Sequence, residues 1–221
     1  MSTALQLVNK VLRRLREDEV TSFTASYTNL ILDFLNETKR EVEDSWNWTS
    51  LRTTKTITTV AGTRQYSLTG AGSRFRILFD GNFRPMVYNV TTGSQLDLAS
   101  GSVIAANDLN VTSSGSPSFF TLVGQDASGD PIISFESIPS GVETIRFHLH
   151  VPQDDLDATT DTLTVPEWPV VLGAWAKAIS ERGEDGGQNT IEQQLMYKSA
   201  LSDAIAMNEG QTYGETTWQQ P

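Results

Sequence analysis

His148 and His150, the only histidines of the chain, stand two apart in Thr144–Val151. On a strand that spacing puts both side chains on one face, as two metal ligands would be. A third ligand is missing from the motif. Asp154 or Asp155 could supply one only after a turn, and partly exposed strand positions are the plainer reading. Asp155, Asp157 and Asp161 occupy the first, third and seventh places of a calcium-loop count. Thr160 then stands where the loop needs glycine, Pro166 stands where it needs a bidentate glutamate, and no helix precedes the run. Gly70-Ala71-Gly72 lacks the third glycine and the following helix of a dinucleotide loop. No serine sits in a Gly-x-Ser-x-Gly elbow, and the chain has no cysteine, which removes thiolate chemistry and Cys-ligated metals. These residues predict no enzyme, no cofactor and no metal.

Composition narrows the partners. The chain has 221 residues, 16 Lys and Arg against 27 Asp and Glu, and a formal net charge of −11. Tight binding to a DNA backbone needs clustered cations that displace counterions, so this balance argues against it. The N-terminus alternates apolar and basic residues instead of presenting an unbroken apolar core, which predicts no signal peptide, and no stretch reaches the length of a membrane span. Synthesis in a reducing host cytoplasm fits the lack of cysteine.

The elements that would position these residues are helical at the ends and β-rich in the middle. Thr3-Ala4-Leu5-Gln6 reads as a capping box opening a helix to about Arg16, with Leu5, Val8, Leu12 and Leu15 on its apolar face. A second helix is predicted over about Thr24 to Trp46, after a cap near Thr21-Ser22. Its charged run Glu37, Lys39, Arg40, Glu41 and Glu43 reads as a solvated face. From Thr49 the period becomes two. Lys55–Val60 and Arg64–Leu68 read as strands joined at Ala61-Gly62, Asp80-Gly81 marks a hairpin, and strands follow at Gln95–Leu98, Phe119–Val123, Pro131–Glu136 and Thr144–Val151. After an acidic linker, Gln153–Asp161, a capping box at Thr164–Glu167 opens a third helix that ends by Gly186-Gly187. A fourth carries Ile191, Leu195, Leu201 and Ile205 to about Asn208, with Gly210 as its C-cap.

The fold class expected is α+β, a helical bundle built from both chain ends with an inserted antiparallel β sandwich or barrel. Residues 1–48 and 153–209 supply the helical body, 49–152 the β-rich domain, and 210–221 a C-terminal docking arm. Trp46 and Trp48 read as core where the helices meet the β region. Tyr213 and Trp218 differ, because they lie in a polar tail without local apolar partners, and aromatic side chains anchor interfaces. They are the candidate partner-binding residues.

Several ordered features carry a resemblance to a known family. They are the short helix Leu5–Leu15, the long second helix closing on Trp46-Asn47-Trp48, Tyr66-Ser67-Leu68, Gly115-Ser116-Pro117-Ser118-Phe119-Phe120, Ile138-Pro139-Ser140, and Leu163-Thr164-Val165-Pro166-Glu167-Trp168. In this order they resemble the head-to-tail adaptors of short-tailed phages, the tail tubular protein A-like group. Val165 stands where such proteins often have leucine, and Ser140 where a second proline is common. The resemblance implies a virion protein of the tail or neck, a dodecameric ring between the portal protein and the tail tube or nozzle. It also implies a β domain reaching toward the tail, a C-terminal arm docking on the portal, and viral DNA passing through the channel without membrane contact. A ring of such acidic subunits presents a lumen to which DNA does not adhere. The alternative is a carbohydrate- or protein-binding β module of a phage tail or surface assembly, with its site in the loops of residues 70–130.

Overall fold

The computed structural model describes residues 1–100, 114–183 and 188–212. Thr3 caps the first helix, α1 (Ala4–Arg14), through a complete capping box: the Gln6 backbone N–H donates to Thr3 Oγ1 at 3.3 Å, and Gln6 Oε1 accepts from the Thr3 N–H at 3.0 Å. The second helix, α2 (Ser26–Ser45), begins at Ala25 without a side-chain cap, so Thr21-Ser22 does not serve as one. A short 3₁₀ turn, Thr49–Leu51, ends this half. After the β segment come α3 (Glu167–Arg182) and α4 (Gln188–Thr212). The expected Thr164 cap is absent: α3 starts after Pro166, and Thr164 donates to Gln153 Oε1 instead. Gly183, at φ 64°, closes α3 in the left-handed conformation that glycine adopts without strain. The fourth helix runs past Gly210, which is therefore not its cap.

Two compact units divide the chain, one from Met1–Leu51 with Gln153 onward, the other within Arg52–Pro152. In the helical unit α3 is the central element. Its buried residues Val170, Val171, Leu172, Gly173, Ala174, Ala176 and Ala178 leave little of it to solvent. Leu7, Val8, Val11 and Leu12 of α1, and Ile31, Leu35 and Val42 of α2, share its core with Trp48. Trp48 is fully buried there, its indole N–H donating to Val42 O at 2.6 Å. On α1 the buried face is rotated from the expected one: Leu7 and Val11 are inside, whereas Leu5 is half-exposed. Gly173 marks the tightest approach. A Cβ at this position would overlap the Thr38 methyl of α2 and come within 3.1 Å of the Tyr197 ring of α4.

The second unit is a sandwich of two sheets, without barrel closure. Strands β1 (Arg52–Thr58), β9 (Thr144–His150), β4 (Val87–Asn89) and β5 (Ser94–Gln95) form one sheet in that order, with β3 (Arg76–Ile77) also pairing to β9. The other has the order β2 (Gln65–Ser67), β8 (Pro131–Phe135), β7 (Phe119–Gln125), β6 (Asp97–Leu98). All pairings are antiparallel except β6 with β7, which is parallel. The Ala61-Gly62 turn carries the chain from β1 in one sheet to β2 in the other. Alternation places Ile145, Phe147 and Leu149 of β9 inward, where Phe147 meets Phe120 of the other sheet edge-to-face at 5.4 Å.

Candidate functional site

Strand geometry puts His148 and His150 on one side of β9, opposite Ile145, Phe147 and Leu149, but among cations. His150 is fully buried, pairs in register with Arg52 on β1 and Arg76 on β3, and has the Arg76 guanidinium 3.3 Å from Nδ1. His148 Nδ1 lies 3.2 Å from Thr54 Oγ1, with its ring edge-on to Tyr88. Neighbouring guanidinium groups repel a divalent ion. Two of the three aspartates of the calcium-loop count hold partners within the protein. Asp155 is paired with Arg40, and Asp161 accepts the N–H groups of Asp157 and Ala158 at 2.9 and 2.7 Å, closing a turn. Among the described residues no three His, Asp or Glu side chains converge on a metal position. Gly70 and Gly72, both at positive φ, wrap the Asp130 carboxylate, each N–H donating at 2.8 Å. This is an anion of the protein's own, so the loop is not a phosphate cradle.

The segment read as an acidic linker is held on α2. Lys39 and Glu43, assigned by pattern to a solvated face, are fully buried. Lys39 Nζ donates to the carbonyls of Gln153 and Asp154 at 2.7 and 2.9 Å and to Glu43 Oε1 at 3.2 Å, while Glu43 accepts the Gln153 N–H at 3.1 Å. Asn36 exchanges two hydrogen bonds with the backbone of Leu156, as a neighbouring strand would. These bonds explain the burial of an ion pair: every charge faces a partner.

Among the described residues, three surfaces stand out after this internal chemistry. The first is a groove of about 450 Å³ between α1 and α3, lined by Lys10, Arg13, Arg14, Glu167, Trp168 and Val171. The Arg14 guanidinium lies 4.8 Å from the Trp168 ring centre and 5.1 Å from that of Trp175, a cation over two indole faces. Glu167 is held by Lys10 and Ser2. Burial pushes its carboxyl upward, but these hydrogen bonds and the Lys10 charge outweigh it and leave it below the usual glutamate range. Trp168 is 53% exposed, far more than a core indole.

The second surface is the outer side of α4. Its inner side, with Tyr197, Ala200, Leu201, Ala204 and Ile205, packs on the helical core. Burial pushes the Tyr197 phenol upward, reinforced by the charge of Glu41, to which its hydroxyl donates. Ile191 and Leu195, expected to lie inside, are each 61% exposed, and Met196 and Met207 accompany them. The helix therefore carries apolar residues on both sides.

The third surface is the turn Phe79–Arg84 in the β unit. Asp80 accepts the N–H groups of Asn82 and Arg84 at 2.9 Å, and Arg84 forks onto Asp97 with two 3.0 Å bonds. The turn so fixed holds Phe83 at φ 58°, a conformation rare for a side chain of this size, with its ring 89% exposed. Tyr213 and Trp218, the candidate partner residues of the sequence, lie outside the described residues. Groove and helix face escaped sequence reasoning, whereas the turn was marked as a hairpin at Asp80-Gly81 without Phe83 being singled out. Of the first two, only Trp168 carried a signal, as a tryptophan beside the proline that starts α3.

Exposed apolar and aromatic surfaces of this kind, on an α+β scaffold, mark sites that other proteins cover. A family model described as SU10 adaptor protein matches residues 2–221, so the chain belongs to the SU10 adaptor protein family. It is a phage adaptor, a structural component of the virion. No curated protein matches the chain. None of the described helices is long and apolar enough to cross a membrane.

Proposed function

We propose that this adaptor is a head-to-tail subunit of the tail tubular protein A-like type, assembling as a ring between portal and tail tube or nozzle. The observation that carries the reading is the second apolar face of α4, exposed in a single subunit and supported on a well-packed helical core. A monomer gains nothing from that exposure, whereas a closed ring buries the same surface in every copy. The helical unit makes the ring body. The C-terminal arm, through Tyr213 and Trp218, contacts the portal, and the β unit, through its Phe83 turn, contacts the tail. The formal charge of −11, repeated around the axis, lines a channel that lets DNA slide. No catalytic step is assigned to the chain.

Deleting the coding segment from the phage tests the reading. Electron microscopy of the lysate is expected to show DNA-filled or leaking heads without tails, and supplying the chain in trans is expected to restore joined particles. Intact tailed particles from the deletion would overturn it.

A further inference from the structure

The ring reading leaves open which surfaces of neighbouring subunits meet, and two of those described above are chemically complementary. The groove between α1 and α3 is cationic and aromatic. Lys10 is matched by Glu167 and Arg13 by Glu19, whereas Arg14, among the described residues, has two indole faces and no carboxylate. The outer side of α4 is apolar and acidic. Exposed Glu192, Met196, Ser199, Asp203 and Met207 follow one another at spacings of three and four, a single stripe, with Ile191 and Leu195 beside it. α1 and α4 pack on different faces of α3: Trp168 and Trp175 carry Arg14, whereas Gly173 meets Tyr197. The two surfaces therefore cannot satisfy each other within one chain. Two unlike patches on one subunit define a head-to-tail contact, the geometry from which rings close.

We infer that the outer face of α4 in one copy docks on the α1–α3 groove of the next, Ile191, Leu195 and Met196 covering Trp168 while Asp203 approaches Arg14. This contact rests on the ring reading and names its partner, a second copy of the chain. Arg14, already oriented on two indoles, loses little freedom on meeting a carboxylate, and exclusion of water by the apolar residues strengthens the pair.

The chain has no cysteine, so introduced thiols report cleanly. With Arg13→Cys and Ser199→Cys in one chain, a short bis-maleimide is expected to give a ladder of covalent multimers, because each copy is linked at both ends. Either substitution alone should give none. The reaction is run on the purified protein with and without its portal. Independently, Arg14→Glu is expected to weaken self-association at least about ten-fold, and adding Asp203→Arg in the same chain to restore it. Circular dichroism identifies any variant that misfolds, and the exposed Ser199 makes the cross-linking arm insensitive to that failure. Rings that form without a ladder and ignore the charge exchange would overturn this interface and leave the adaptor reading standing. Absence of any oligomer in both conditions would overturn both.

Discussion

Lys39 has the sequence surroundings of a surface residue, between Thr38 and Arg40 in a run with three glutamates nearby, yet it is fully buried. Its burial depends on residues 114 and 115 positions away, the carbonyls of Gln153 and Asp154, which no local pattern reveals. Replacing Lys39 by Met leaves Glu43 and two carbonyls buried without their cation, and is expected to cost about 3–5 kcal/mol in urea denaturation. A second residue-scale consequence concerns Asp130. Backbone N–H donation from Gly70 and Gly72 holds its carboxyl below the usual range, against the opposing effects of burial and Asp126. A carboxylate whose folded pKa is depressed contributes stability that is full above its unfolded pKa and disappears as pH falls through the folded value. The protection factors of the Gly70 and Gly72 amides, with the intrinsic pH dependence of exchange divided out, should thus be unchanged between roughly pH 7 and 5 and fall only below about pH 4. The histidine and aspartate patterns that opened the sequence reading end as internal contacts, with Arg76, Arg40 or backbone amides in the place of an ion.

At the scale of elements, legibility followed the physics that each pattern reports. The Thr3 capping box and the alternation of β9 are local, and both appear as read. The α+β class, with helices from both ends and a β sandwich between them, is also present. The turn at Ala61-Gly62 lies between β1 and β2 as read, but pairing is decided by which sheet face each strand's apolar residues must cover, here Ile57 in one sheet and Tyr66 in the other, so local alternation did not reveal that the two strands belong to different sheets. The fourth helix was read with a single apolar face because a monomeric helix needs only one. Its Ile191 and Leu195 belong to another surface, and a sequence pattern alone does not separate a core stripe from an interface stripe. Gly173 passed unremarked within an apolar helix, although three helices converge on it. Gly173→Ala is expected to destabilise the protein by about 1–3 kcal/mol in thermal or denaturant unfolding, the reverse of the gain alanine normally brings to a helix.

For the whole molecule, the described polar side chains and the exposed apolar surfaces divide the work between the interior and the outside. The internal polar groups are spent on holding segments together: Lys39 on the returning chain, Asp80 and Asp130 on turns, and Asn89 with Ser116 on Glu143. Outward, among the described residues, stand the Trp168 groove, the α4 stripe and the Phe83 turn, each suited to burial by another protein. The native mass of the purified chain, measured by light scattering alone and after mixing with its portal, tests the central claim most directly. A ring-sized oligomer is expected, or a monomer that is taken up in multiple copies when the portal is added. A chain that stays monomeric and leaves the portal's mass unchanged would contradict it.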